Sequence, residues 1–163
     1  MKKLIFSTLL AIMAIFSSNA QTNIKYNGEI NLGYGIGVGD FSAGRVNLHT
    51  IQGVKIGDYF STGVGVGFDY YHEGDELIVP IYLNLKGYYP INEKVSPFVS
   101  LDLGYGIGAT DDLSGLGGLY ISPTVGIKYR HISFQLGYTC QRLQEEGVGI
   151  DFGAVQFKVG YVF

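Results

Sequence analysis

The sequence predicts an all-β chain closed as an eight-stranded antiparallel up-and-down transmembrane β-barrel. Three observations carry that prediction. Apolar residues alternate with polar or small ones at a period of two, the spacing at which a strand sends side chains to opposite faces. The 163 residues include 25 glycines, 13 tyrosines and 10 phenylalanines, a composition poor in helix formers. The closing stretch sets Val155, Phe157, Val159, Tyr161 and Phe163 on one face against Gln156, Lys158 and Gly160 on the other. A strand that is greasy outside and mixed inside suits a barrel wall in a bilayer.

Residues 1–20 read as a secretory signal peptide. Lys2 and Lys3 precede an apolar stretch from Leu4 to Phe16, and Ser18-Asn19-Ala20 supplies small residues before a cut at Gln21. That stretch is short for a membrane-spanning helix, and no apolar run of helix-spanning length follows it. The barrel domain is then 21–163. Without Lys2 and Lys3 it keeps nine basic residues against 14 acids, a formal charge of −5, which excludes nucleic acid as a natural partner. Cys140 is the one cysteine, so no internal disulfide forms despite an exported destination. There is no tryptophan, so tyrosine must supply any interfacial aromatic belt.

The first strand, Tyr26 to Val38, sets Tyr26, Ile30, Leu32, Tyr34, Ile36 and Val38 against Asn27, Glu29, Asn31, Gly33 and Gly35. The second, Gly44 to Ile56, is the weakest: Val46, Leu48, Val54 and Ile56 share their parity with Thr50 and Gln52. A bulge near Ile51 to Gly53 would restore its apolar face. The third runs from Phe60 to Tyr71 and the fourth from Leu77 to Tyr89. The fifth, Pro97 to Ala109, and the sixth, Leu119 to Tyr129, alternate cleanly. The seventh covers Ile132 to Arg142 and the eighth Gly153 to Phe163. Pro80 and Pro123 fall inside strands, where each removes a ladder donor, and local bulges are expected at both.

A soluble sandwich or lipocalin-like barrel also alternates, with its apolar face inward. The apolar faces here are as long as a membrane strand needs. The opposite faces hold Gly, Asn, Ser, Thr and Gln with few charges. Three connections, 57–59, 90–96 and 130–131, contrast with a slightly longer set, 39–43, 72–76, 110–118 and 143–151. The longer set is expected outside the cell, with both termini periplasmic.

The Gly-x-Gly-x-Gly runs at 33–37, 63–67 and 104–108 lack the following helix that a phosphate loop requires. In a barrel barely wide enough for its own side chains, they instead make room for large lumenal residues. Turn-set registers place His49 between Gly33 and Gly67, Tyr82 opposite Gly67, and Tyr120 opposite Gly108.

The leader, the Gly-Tyr-Gly-Ile-Gly repeats at 33–37 and 104–108, Tyr88-Tyr89-Pro90 through Ser96-Pro97-Phe98, and the closing Gly160-Tyr161-Val162-Phe163 resemble the small outer-membrane β-barrels. Those are the OmpX/OmpA-type proteins and porin-like outer membrane protein β-barrel domains. The resemblance spans the whole mature chain. It implies an integral outer-membrane protein whose terminal aromatic is read by the barrel assembly machinery. It does not select an activity, because such folds host many.

The inward faces predict a lumenal polar network of Glu29, His49, Asp69, Lys86, Asp102 and Lys158, with Lys158 in reach of Glu29 across the closing seam. His49 beside Asp69 could act as a base, yet no serine is placed as a nucleophile, and a structural hydrogen-bond network is the expected role. His72 and His131 lie in connections and share no metal-ligand spacing with His49. Cys140 is expected to face lipid. Acidic residues gather at the outer end, with Arg45 and Arg142 the only opposing charges there, and lysines gather at the other. Asp111, Asp112, Glu145 and Glu146 are the candidate ligands for a divalent cation bridging to lipopolysaccharide phosphates. No cofactor is expected. The expected function is a structural or envelope-maintenance role with a filled lumen and no enzymatic activity. A small passive porin-like channel, or a surface binding module using the acidic loops, stands as the alternative.

Overall fold

The computed structural model describes residues 23–38, 44–110, 116–145 and 148–163, with backbone pairing alone described for 143–145 and 148–152. The expected leader lies outside the described residues. Eight strands form: β1 (Ile24–Val38), β2 (Gly44–Ile56), β3 (Phe60–Tyr71), β4 (Glu76–Tyr88), β5 (Val95–Gly108), β6 (Gly117–Tyr129), β7 (Ile132–Glu145) and β8 (Val148–Val162). Each pairs antiparallel with its sequence neighbour, and β8 closes on β1. The fold class read from the sequence is the one observed.

Closure is staggered. Stepping through paired residues from Gly28 by way of Gln52, Val64, Leu83, Leu103, Ile121, Cys140 and Gly153 returns to β1 at Val38, ten residues further along. Such a stagger goes with strands tilted by roughly 35–45° and an interior just wide enough to be packed with side chains.

Every strand splits its residues as the alternation demands, but the hydrophobic effect is applied inside out. Leu32, Val64, Ile81, Leu83, Val99, Val125, Leu136 and Phe157 are exposed on the outer surface. A contiguous apolar belt of this extent has no place on a water-soluble monomer. Tyr34, Tyr70, Tyr105 and Tyr138 lie outward toward one end of the belt, and Tyr26, Tyr59, Tyr89, Tyr129 and Tyr161 toward the end bearing the termini. Two aromatic girdles flank the apolar band as in transmembrane barrels.

Tyr34, Tyr105 and Tyr138 lie over glycines. A Cβ at Gly44 would strike Tyr34, one at Gly117 Tyr105, and one at Gly153 Tyr138. Each ring covers the backbone that a neighbouring strand leaves bare. At the closing seam, Phe163 stacks on Tyr161 and packs on Tyr26, while its backbone exchanges hydrogen bonds with Gly28, both 2.9 Å.

Three sequence expectations are overturned. β2 carries no bulge: Gly28↔Gln52 and Ile30↔Thr50 belong to one unbroken register. Thr50 and Gln52 do face outward, and they are satisfied locally. Gln52 Nε2 donates to Thr50 Oγ1 at 2.9 Å, and the Tyr26 hydroxyl donates to Gln52. Nor do Pro80 and Pro123 produce bulges. The register continues past Pro80 from Val66↔Ile81 to Asp69↔Ile78, and past Pro123 from Ile121↔Cys140 to Thr124↔Gly137. A missing N–H interrupts the ladder toward one neighbour only; it adds no residue, so the pairing does not shift. Finally, the stretch 143–151 is mostly strand rather than loop, because β7 and β8 pair as far as Glu145↔Val148.

Candidate functional site

The site is the barrel interior. Its polar side chains come from inward positions on all eight strands, and most are inaccessible to water: Glu29, Asn31 and His49 are each 1% exposed, and Arg45, Asn47, Asp69, Thr139 and Gln141 are 0%. Buried groups of this kind need partners, since an unpaired buried charge costs several kcal/mol.

Arg45 is the hub of the end remote from the termini. Its Nη1 donates to Asp69 Oδ2 at 3.2 Å and to the Tyr71 hydroxyl at 3.1 Å. Its Nη2 donates to Thr139 Oγ1 and Gln156 Oε1, both at 2.7 Å. Gln156 Nε2 carries the network on to Ser122 Oγ at 2.7 Å. One guanidinium fork thereby ties β2 to β3, β7 and β8 across the lumen.

The middle layer is His49. The Asp69 carboxylate can only accept, so His49 Nε2–H donates to Oδ1 at 2.9 Å, leaving Nδ1 to accept from the Tyr82 hydroxyl at 3.0 Å. Tyr82 packs on Tyr120 with ring centroids 5.4 Å apart, and with Ile51 the two form the apolar cluster of the core. Glycines admit these rings. A Cβ at Gly67 would strike His49, one at Gly65 Tyr82, and one at Gly104 the β4 backbone at Ile81 and Tyr82. The expected slots were displaced: Tyr82 lies opposite Gly65, not Gly67, and Tyr120 opposite Gly104, not Gly108. For Tyr82 the reason is the hairpin, since β4 begins at Glu76 paired with Tyr71. His49 is opposite Gly67 and Asn31, while Gly33 pairs with Asn47.

Toward the termini, Lys86 Nζ donates to Glu29 Oε2 at 2.6 Å, reaching across from β4 to β1. Gln135 Nε2 donates to Glu29 Oε1 at 2.7 Å. Asp102 accepts from Asn84 Nδ2 at 2.5 Å and pairs with Lys158 at 3.9 Å. Lys158 therefore serves Asp102, not Glu29. Along the closing seam it is opposite Gly33, whereas Glu29 is opposite Val162. Four residues of strand are about 13 Å, beyond the reach of a direct bond. Phe98 and Tyr88 cap this layer, with the Lys86 ammonium 4.7 Å from the Phe98 ring centre.

All six residues named for the lumenal network are buried in it; five of them form three charge-matched pairs once Arg45 is added, and His49 braces Asp69. Arg45 was expected at the rim. Its parity, shared with lumenal Asn47 and His49, was the available signal. Asp111, Asp112 and Glu146 lie outside the described residues, as does the side chain of Glu145. Among the described residues no group of three or more His, Cys, Asp or Glu is placed to hold a metal. Cys140 is exposed on the outer face.

No family model and no curated protein matches the sequence. Solved structures do. The chain superposes on the outer membrane enzyme PagL with a TM-score of 0.61 at 8% identity, covering 82% of this chain and 98% of that one. Neisserial surface protein A gives a TM-score of 0.62 at 11% identity, covering 86% and 99%. The N-terminal β-barrel domain of Pseudomonas aeruginosa OprF gives 0.54 at 14%, covering 84% and 97%. These neighbours include an enzyme and proteins not so described, so at such identities the likeness carries architecture and no activity. The chain has the closed eight-stranded antiparallel fold of outer-membrane β-barrels.

Proposed function

We propose that this chain is an integral outer-membrane barrel of OmpX/OmpA-like type with a structural or envelope-maintenance role, its lumen closed to solutes. The observation that carries the reading is the interior. Arg45, Asp69, Asn47, Tyr120, Ser122, Thr139 and Gln141 are each 0% exposed at the level where a channel would run. A pore would require these side chains to leave, and with them the Arg45–Asp69 and Lys86–Glu29 pairs. The His49–Asp69 pair is sealed in the same way. Among the described residues His49 and Asp69 are 1% and 0% exposed, and their chemistry is that of a cross-brace between strands.

In this reading the termini are periplasmic, the leader directs export, and the assembly machinery recognises the closing Tyr161-Val162-Phe163. The surrounding partners are outer-membrane lipid and lipopolysaccharide, with divalent cations at the acidic rim of Asp111, Asp112, Glu145 and Glu146. Planar-bilayer recording of the refolded protein tests the closed lumen. The expected result is a baseline without conductance steps; stable, protein-dependent open steps would overturn it in favour of a passive channel. Detergent sensitivity of a deletion strain, restored by the wild-type chain, tests the envelope role.

A further inference from the structure

The lumenal charges of the interior are matched in pairs, but the mouth at the terminus-bearing end is not. Lys55 and Lys128 reach in from opposite walls, β2 and β6, and converge on one ring. Their ammoniums lie 5.3 and 5.2 Å from the centre of Tyr88. Lys55 has only a long contact, 3.9 Å, to Asp58, whose side chain is 82% exposed. Among the described residues no carboxylate pairs with Lys128. Glu29, the nearest lumenal acid in this layer, is already bonded to Lys86 at 2.6 Å. Two partly buried ammoniums on one ring repel, and the shared Tyr88 face offsets only part of that cost while supplying no counter-charge.

A second observation falls at the same place. The Tyr88 hydroxyl and Ser61 Oγ are buried against one another with no further hydrogen-bond partner among the described residues, and Tyr88 as a whole is only 6% exposed. Ser61 pairs across the sheet with Lys55 on one side and Lys86 on the other. A buried hydroxyl pair with one proton left to donate, beside surplus positive charge, is what a site for a small oxyanion looks like when described from its protein side.

We propose that this mouth binds a small phosphate-type dianion from the aqueous side, held by Lys55 and Lys128 at the Tyr88 ring. Two ammoniums supply charge-assisted hydrogen bonds, the proton that the Tyr88–Ser61 pair leaves free is the additional donor, and the Tyr88–Phe98 layer closes the floor. The strand wall separates the mouth from lipid, so the ligand is a soluble phosphate or phosphomonoester and not a headgroup. This is a terminal binding site and needs no opening of the lumen.

The test is a phosphorus NMR titration of inorganic phosphate against the full-length mature barrel refolded in zwitterionic detergent, with chloride as the supporting anion. Saturable binding is expected. Lys128→Gln should weaken it by about tenfold or more, the loss of one charged contact. Tyr88→Phe, which keeps the ring, should weaken it about threefold, and Lys94→Gln, an exposed lysine at the same end, should leave it unchanged. Folding of each variant is checked by its heat-dependent gel mobility. Should Lys128→Gln not fold, Lys55→Gln carries the same comparison, since that side chain is 21% exposed and its removal strands no buried charge. Absence of saturable binding, or equal losses in Lys94→Gln and Lys128→Gln, would overturn the site.

Discussion

Arg45 shows how much a single lumenal side chain does in this barrel. Its guanidinium makes four hydrogen bonds to side chains on three strands, β3, β7 and β8, and is wholly buried. Arg45→Met removes the charge that Asp69 faces while leaving Asp69 buried, which should cost about 3–5 kcal/mol of unfolding free energy. Arg45→Met combined with Asp69→Leu removes both charges and should lie closer to wild type than the sum of the two single changes. Urea unfolding in lipid vesicles measures all three variants, and strict additivity would mean that the pair is not coupled. Cys140 and Gln52 make the opposite point. Both are outward, and the polar one is satisfied by Thr50 and Tyr26 without any lumenal partner.

At the scale of elements, glycine sets the spacing between strands. Gly104 on β5 faces the backbone of β4, so a Cβ there would meet Ile81 and Tyr82 main-chain atoms that cannot swing aside. Gly87 on β4 has only a Val99 methyl at 3.8 Å, an ordinary contact. Gly104→Ala is therefore expected to destabilise the barrel by about 1–3 kcal/mol, and Gly87→Ala to be neutral or slightly stabilising through the unfolded chain. Equal effects at the two positions, read from unfolding midpoints, would remove the steric argument. β2 and the prolines belong to the same scale. Thr50, Gln52, Pro80 and Pro123 each break a local rule of strand composition, yet no strand slips, because the neighbours on both sides hold the register.

The whole molecule is an inverted globule, apolar outside and polar within, and that inversion is testable. Val64 lies midway along β3 on the outer face, and Tyr59 lies in the girdle beside it at the end of the belt. In a bilayer, Val64→Arg should cost about 2–4 kcal/mol, and Tyr59→Arg about 0–1 kcal/mol. Measured in vesicles by reversible unfolding, a negligible effect at Val64 would contradict a lipid-facing belt. The same inversion explains why the interior is built from ion pairs and amides. The outside supplies the apolar surface, and the inside must satisfy whatever the small radius of eight strands forces together.

Strand number, the two faces of each strand and the inward placement of Glu29, His49, Asp69, Lys86, Asp102 and Lys158 were legible from sequence. Parity is a local property with a period of two, and it survives an imprecise strand boundary. Arg45 was legible in the same way but was set aside as a rim residue because it stands next to a strand end. What parity could not supply is which partner each lumenal group meets. Lys86 reaches Glu29 from the fourth strand to the first, and Lys158 reaches Asp102 from the eighth to the fifth. Those meetings depend on the summed registers of the hairpins and on the ten-residue stagger at closure. A change of one register slides every later strand along the axis. The sequence by itself determined which residues point inward; only the closed tertiary structure decided their pairing, because a cross-lumen contact is a property of all the strand registers at once.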